Sequence, residues 1–374
     1  MKDAISANKV YLKIIIFLFG VIITYSCTNK SRVRKETPAA QARNNVRFMN
    51  NRAEINAMRL KFTTGVRSIL EDSKGNIWFG SDQEGVGLFH KGEFKYFTVE
   101  NGLSDNQVRN IYEDENGIIW FEGGEGISSY NGLTITPHKE RIYSSKEEWK
   151  LNDSDLWFKG DETVGYNELE GHPGVYQYNG QTFSYRTFPV KPKEGEQNYY
   201  SVTTPYIKSK NGNLWFGTYG AAIGYNGSDF VIIDNDYLGL NDETGLLHIR
   251  SIMEDSKGNL WIGNNGIGVF KYNGAKTIHF TRQQKLKKQD TNGNSLERIF
   301  AIGEDTLENI WFGTVESGVW RYDGKSLTNF TKEDGLESEH IWTIYKSKQG
   351  EIWFGGANPS GVYVFNGRSF ERKY

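Results

Sequence analysis

The sequence has few of the features that define several common protein classes. It contains one cysteine and seven prolines among 374 residues, and its formal net charge is −2. A single cysteine excludes a disulfide framework and a zinc site built from several thiolates. The near-neutral charge argues against polyanion binding driven by bulk charge, so we expect no nucleic-acid partner.

Glycine and aromatic residues, by contrast, are abundant. Glycine accounts for 42 of the 374 residues, which exceeds the usual share of about 7%. Aromatic residues make up 14% of the chain. This mixture is typical of many short strands joined by glycine turns. The length fits either two ordinary domains or one large domain built from repeats.

The first residues have the pattern of a secretory signal. Lys2, Lys9 and Lys13 precede or flank the start of the apolar run IIIFLFGVIIT at 14–24. A charged start followed by a short apolar core is typical of a signal peptide. A membrane-spanning helix needs about 20 apolar residues, so this run is short for one.

The segment ending TYSC at Cys27 resembles a bacterial lipobox. We therefore predict a lipoprotein signal peptide over 1–26, lipidation of Cys27, and a polar, basic tether over 27–57. An ordinary signal peptide, or an anchor helix with Cys27 incidental, is the alternative. The resemblance implies a lipid-anchored protein of the bacterial cell envelope. No acidic run follows Cys27, which favours the periplasmic face of the outer membrane.

A motif of the I-W-F-G type recurs through residues 58–374 and marks seven repeats. In the clearest copies, strand a (V-x-x-I-x-E-D) is followed by a D-x-x-G-N turn and strand b (I-W-F-G). Strand c (G-V-x-x-Y), a Y-N-G turn and strand d (F-x-x-F-T) complete the unit. The marker tryptophans are Trp78, Trp120, Trp157, Trp215, Trp261, Trp311 and Trp353.

Four antiparallel strands repeated at about 40–45 residues form the blade of a propeller. We predict an all-β, seven-bladed β-propeller over 58–374, with the tryptophans packed between blades. Acidic pairs such as Glu71-Asp72 are expected to accept hydrogen bonds from backbone N–H groups in turns. For ring closure, Met58–Thr63 and Ser369–Tyr374 compete for the outermost strand of the last blade, and we favour the N-terminal segment.

The repeats resemble those of the two-component-regulator propeller family. The resemblance rests on G-x-I-W-F-G-T-x-x-G-V-x-x-Y-x-G and on the linking segments TVENGLSDNQVRN at 98–110 and TKEDGLESEHIWT at 331–343. In that family such propellers form the periplasmic sensors of hybrid histidine kinases that respond to polysaccharide fragments. The resemblance implies a sensory role, here expected from one propeller on a lipid anchor.

Long connections are predicted on one face of the propeller. The a–b and c–d turns are short, so the length variation falls on the b–c and d–a connections, where binding residues are expected. The long connections are 161–173, 189–200, 234–247 and 285–296.

The d–a connections lead into strand a, the strand nearest the central channel. Aligning the repeats places Arg67, Arg109, Arg250, Phe300 and Trp342 at one position, and Gln107, His248, Arg298 and His340 just before it. Arginines bind carboxylates and aromatic rings stack on sugars, so we predict an oligosaccharide site, best suited to an acidic sugar. The alternative is that these side chains fill the channel and bond one another without binding a ligand.

Three functions remain open at this point. A ligand-binding or sensory module is favoured over a protein-interaction platform and over an enzyme. The repeat is also somewhat similar to that of virginiamycin B lyases, in which a histidine and a magnesium ion act at the channel mouth. That resemblance implies a lyase in which His248 or His340 transfers a proton with an acidic partner such as Glu339. A polysaccharide lyase on the same scaffold is a further alternative. We find no metal-binding pattern and predict no cofactor.

Overall fold

The predicted repeats form seven separate antiparallel sheets. The structure is a computed structural model, and it describes residues 59–138, 149–159, 168–169, 172–191, 199–284 and 295–374. The predicted signal peptide, Cys27 and the tether lie outside the described residues. Parts of three long connections also lie outside them, within 161–173, 189–200 and 285–296.

Six blades have the predicted order of strands a, b, c and d, each paired with the preceding one. The prediction of an all-β, seven-bladed propeller with four-stranded blades is therefore confirmed. Blades 1 and 2 comprise β1 (Val66–Glu71), β2 (Ile77–Ser81), β3 (Val86–His90), β4 (Glu93–Phe97), β5 (Val108–Glu113), β6 (Ile119–Gly123), β7 (Ile127–Tyr130) and β8 (Ile135–His138). Blades 5 to 7 comprise β17 (Ile249–Glu254), β18 (Leu260–Asn264), β19 (Val269–Tyr272), β20 (Thr277–His279), β21 (Ile299–Glu304), β22 (Ile310–Thr314), β23 (Val319–Tyr322), β24 (Leu327–Phe330), β25 (His340–Lys346), β26 (Ile352–Ala357), β27 (Gly361–Phe365) and β28 (Phe370–Arg372).

Blade 3 contains a strand that the repeat does not predict. Its strands are β9 (Leu156–Lys159), β10 (Glu168–Leu169), β11 (His172–Tyr178) and β12 (Phe183–Thr187). Strands β9 and β10 both pair with β11, whose other edge pairs with β12. The additional strand β10 comes from the b–c connection. The expected strand a would precede β9, where 139–148 lie outside the described residues, so the a-b-c-d order stays a prediction for this blade.

Blade 4 keeps the order but has a short innermost strand. It comprises β13 (Ile207–Lys208), β14 (Leu214–Gly217), β15 (Ala221–Tyr225) and β16 (Phe230–Asp234). Pro205, which has no N–H to donate, precedes the two-residue strand β13. The described helices are short: α1 (Asn235–Leu238), α2 (Phe280–Gln283) and two single 3₁₀ turns, Val99–Asn101 and Lys332–Asp334. None of the helices in the described part could cross a membrane.

The marker tryptophans pack between blades, as predicted, and each is at most 5% exposed. The acidic residue of the a–b turn satisfies the indole N–H: Trp78 Nε1 donates to Asp72 Oδ2 at 2.9 Å. Asp72 Oδ1 also accepts backbone N–H groups of Lys74 and Asn76 at 3.0 and 2.8 Å. Burial alone would raise the pKa of Asp72, but these hydrogen bonds outweigh it and hold the pKa below its ordinary value. The equivalent aspartates of blades 1, 2, 5 and 6 therefore join their turns to the core.

Ring closure differs from the prediction. The outermost strand of blade 7 is the C-terminal β28, paired with β27, and the N-terminal segment joins no sheet. Leu60 and Phe62 instead pack side by side with Tyr374 in the core between blades 7 and 1. Both segments that compete for the strand are thus buried at one junction. The preference for the N-terminal segment as the closing strand is wrong, because its apolar side chains fill the junction rather than extend the sheet.

Candidate functional site

Beta-bulges bring the aligned residues at the start of strand a to the channel. In the β1–β2 ladder Val66 pairs with Ser81 and Ser68 with Gly80, which leaves Arg67 without a partner. A bulge takes the unpaired residue out of the regular alternation and redirects its side chain. The same shift occurs in the other four regular blades at Arg109, Arg250, Phe300 and Trp342.

These five side chains line one cavity of about 230 Å³ inside the ring of blades. Blade 4 adds Thr203 and Pro205 to its walls, and no described residue of blade 3 lines it. The charged residues of the described lining are all arginines: Arg67, Arg109 and Arg250. The lining residues include no carboxylate, so the cavity is cationic.

Arg67 is the arginine of this set that is held by a carboxylate. Its Nε and Nη2 donate to Asp82 Oδ1 at 2.8 and 2.6 Å. Its guanidinium also lies over the Trp342 ring, 4.1 Å from the centroid. Burial lowers the pKa of Arg67, Asp82 opposes this, and the charges of Arg109 and Arg250 lower it further. The three arginines therefore repel one another, and a bound anion would relieve that repulsion.

Arg109 and Arg250 have no carboxylate within ion-pair distance among the described residues. Arg109 Nε donates to Gln107 Oε1 at 2.5 Å, and Gln107 Nε2 donates to Asp82 Oδ1 at 3.2 Å. Arg250 lies between two aromatic rings, 5.2 Å from the centroid of Tyr219 and 5.4 Å from that of Phe300. Its Nε is buried and makes no hydrogen bond in the described structure. Because a buried donor without a partner is costly, this atom is suited to receive an acceptor from a ligand.

His340 is bound to the rim of the cavity through Trp342. The indole Nε1 of Trp342 donates to His340 Nε2, and the Phe300 ring meets the His340 ring edge-on at 5.6 Å. Burial, followed by the charges of Arg67 and Arg298, lowers the pKa of His340 to about 4. The ring is therefore neutral at neutral pH.

His248 lies next to Arg250. Its ring centroid is 4.9 Å from that of Tyr219, and its Nε2 is buried without a hydrogen-bond partner among the described residues. Burial, followed by the charge of Arg250, lowers the pKa of His248 to about 4. Both histidines can thus orient a ligand by hydrogen bonding, whereas a catalytic base works best with a pKa near the working pH.

Of the groups that position the arginines, the alignment of the repeats identifies Gln107 but not Asp82 or Tyr219. Asp82, in the b–c connection of blade 1, and Gln107 link Arg67 to Arg109, and Tyr219 lies beside Arg250. The signal that could have found Asp82 is its place on the predicted working face, in an otherwise short connection. A second recess of about 310 Å³ adjoins Arg109 and is lined by Asp82, Asp105 and Glu125. Within the described chain no cluster of His, Cys, Asp and Glu could hold a metal ion.

Part of the repeats matches a known family model. Four segments, 62–83, 102–121, 246–266 and 335–358, match the two-component regulator propeller. Four of the seven blades thus contain a segment that matches this repeat.

A curated relative is histidine kinase P4 of Formosa agariphila. It is 30% identical over 157 residues, which are 40% of this chain and 11% of the kinase. A solved structure of similar fold is the extracellular domain assigned to a hybrid two-component system of B. thetaiotaomicron, with 19% identity and a TM-score of 0.58. That alignment covers 82% of this chain and 39% of the solved one. This chain therefore spans well under half the length of these relatives.

A streptogramin B lyase has a similar fold as well. The TM-score is 0.56 at 14% identity, and the alignment covers 84% of this chain and 96% of the lyase. At such identities these likenesses show the fold alone.

Proposed function

We propose that this protein is a sensory, ligand-binding propeller of the bacterial cell envelope that binds an acidic oligosaccharide in the central cavity. The observation that carries the proposal is the cationic cavity, in which Arg109 and Arg250 have no carboxylate partner among the described residues. A guanidinium binds a carboxylate through two parallel, charge-assisted hydrogen bonds. The sensory part of the proposal is supported by the repeats and by the fold shared with extracellular domains of signalling systems.

The aromatic residues of the cavity favour a sugar acid over a simple anion. Phe300 and Trp342 line the same cavity as the arginines, so apolar ring faces and cationic groups meet in one place. Pyranose rings present apolar faces that pack on aromatic side chains, while their hydroxyls take polar partners. The guanidinium of Arg67 already lies over one face of the Trp342 ring. A sugar would therefore pack on the remaining surface of Trp342 or on the Phe300 ring. His248 and His340 would orient the ligand as neutral hydrogen-bonding groups.

The proposal predicts a loss of affinity when the arginines are removed. Arg109→Ala combined with Arg250→Ala should weaken binding of an acidic oligosaccharide by at least about ten- to a hundredfold, since a bond to a charged group contributes about 1.5–3 kcal/mol. The measurement is calorimetric titration of the full chain with a panel of acidic and neutral oligosaccharides, after checking that the melting temperature is unchanged. Arg298→Ala is the matched control, because Arg298 is ion-paired with Glu316 at 3.0 Å and does not line the cavity.

Other outcomes of this titration would assign one of the alternative functions. Consumption of the ligand, abolished by His248→Ala or His340→Ala, would make the protein a propeller lyase. Neither binding nor turnover across the panel would favour a protein-interaction platform.

We further propose that the propeller is held at the membrane by lipidation of Cys27. A diacyl group on the thiol together with an amide-linked chain exceeds the two anchors needed for stable membrane residence. Cys27→Ser should leave the precursor uncleaved or release the protein into the soluble fraction, as judged by cell fractionation and immunoblotting. A cleaved Cys27→Ser protein that still sediments with membranes would contradict the lipid anchor.

A further inference from the structure

We infer that the cavity admits one acidic sugar unit, so that a longer acidic chain gains little affinity over a single unit. The inference rests on the proposed function and specifies how much of the ligand is bound. Three features of the described structure carry it: the size of the cavity, the fixed walls that the blades provide, and the place of the unpaired cationic groups.

The cavity is small. Its volume of about 230 Å³ lies below the about 300–1,000 Å³ of pockets that hold drug-sized ligands. A single pyranose with its carboxylate is smaller than such a ligand, whereas two or more linked units reach or exceed that size. The volume therefore suits one unit of an oligosaccharide.

Six of the blades contribute to the walls of the cavity. The lining comes from blades 1, 2, 4, 5, 6 and 7, as bulged residues and the strands that follow them. Tyr112 also lines the cavity, and its ring stacks on Tyr206 of blade 4 with centroids 5.0 Å apart. Glu122 holds this part of the wall by accepting hydrogen bonds from Tyr112 Oη at 3.2 Å and Asn110 Nδ2 at 2.9 Å. The described walls are therefore fixed by packing and hydrogen bonds.

The unpaired cationic groups lie inside this cavity and not along an open groove. Arg250 Nε is buried without a partner, and Arg109 is bonded only to the Gln107 amide among the described residues. A carboxylate on the bound sugar unit would pair with the charge of Arg109 and accept a hydrogen bond from Arg250 Nε. Arg298, two residues before Phe300, is by contrast exposed and paired with Glu316.

The test compares uronic acids of increasing length on the full-length protein. The probes are D-galacturonate, its dimer and hexamer, D-galactose as the neutral sugar, and inorganic phosphate as a simple anion. We expect galacturonate to bind, and the hexamer to bind no more than about threefold more tightly, with one site per chain. Galactose and phosphate should bind at least about tenfold more weakly than galacturonate. Arg250→Gln should lower the affinity for monomer and hexamer equally, by about ten- to a hundredfold, and Arg298→Gln should leave it unchanged.

Each other result overturns a defined part of the account. An affinity that rises more than about tenfold from monomer to hexamer, with Arg250→Gln still harmful, would refute the single-unit inference and leave the acidic-ligand function standing. Hexamer binding unaffected by Arg250→Gln would show that the sugar binds elsewhere. It would refute both the single-unit inference and the proposed function of the cavity. Phosphate binding as tight as that of galacturonate would assign the cavity to simple anions and refute the sugar unit.

Discussion

His340 accepts a hydrogen bond from the indole nitrogen of Trp342, so its Nε2 must be unprotonated in the folded protein. Its pKa is lowered from the ordinary 6.5 to about 4, first by burial and then by Arg67 and Arg298. Between these values the unfolded chain binds more protons than the folded one. The stabilisation from neutral His340 is therefore complete above about pH 6.5 and is lost as the pH falls through about 4.

Replacing this histidine should reduce the sensitivity of the fold to acid. In His340→Gln the amide oxygen can still accept from Trp342, but the group no longer titrates. We expect the free energy of unfolding to fall less between about pH 7 and about pH 5 than in the parent, as measured by urea unfolding at both values. His248 and His279 also have a pKa lowered to about 4, and they remain in both proteins. An equal fall in parent and variant would show that His340 does not titrate as described.

The fourth residue of strand b lies against the neighbouring blade. In blade 6 it is Gly313, where a Cβ would lie 2.7 Å from Ile341 Cγ2 in the innermost strand of blade 7. In blades 2 and 3 the corresponding residues are Glu122 and Lys159. The carboxylate of Glu122 accepts a hydrogen bond from Lys159 N of blade 3 at 2.9 Å. Glycine in blade 6 thus fits the close approach of blade 7.

A methyl group at Gly313 should be costly for the same reason. We expect Gly313→Ala to destabilise the protein by about 1–3 kcal/mol through overpacking. The cost should be smaller in an Ile341→Ala background, where the opposing methyl group is gone. A double-mutant cycle of unfolding free energies measures this coupling. Additive effects of the two substitutions would contradict the close contact between blades 6 and 7.

The elements also show how far the sequence predicts the site. The repeat predicts the blades, and aligning it brings Arg67, Arg109 and Arg250 together, because equivalent positions meet at the axis of a ring. The alignment does not reveal that these residues are bulged, since a bulge changes the pairing and not the motif. Blades 2 and 3 carry W-F-E and W-F-K in place of W-F-G, and the sequence alone does not reveal what these side chains contact. Asp82 lies in a connection outside the repeated motif, so only its place on the predicted working face points to it, and not its pairing with Arg67.

At the scale of the whole molecule, the ring is closed where the two ends of the described propeller meet. Lys373 N donates to the carbonyl of Val362 at 2.7 Å, and Tyr374 packs with Leu60 and Phe62. The N-terminal segment then continues along the rim, where Glu84 accepts hydrogen bonds from the backbone N–H groups of Thr63 and Thr64 at 2.7 and 2.9 Å. Sequence patterning could not choose between the competing segments, because both carry the alternating apolar residues that the junction buries.

The ring places the cationic side chains of three blades in one cavity, and this is the central claim about function. Arg67 and Arg109 come from adjacent blades, and Arg250 comes from blade 5. Their mutual repulsion destabilises the folded protein, and a bound carboxylate would reduce this repulsion. If these side chains only filled the channel, the arginines would be expected to pair with carboxylates of the protein itself.

The most direct test is a crystal structure of the full propeller with a saturating concentration of galacturonate. The account predicts one sugar in the central cavity, its carboxylate within hydrogen-bond distance of Arg250 and Arg109, and its ring against Phe300 or Trp342. An empty cavity, or a sugar bound only on the outer surface of the blades, would contradict it.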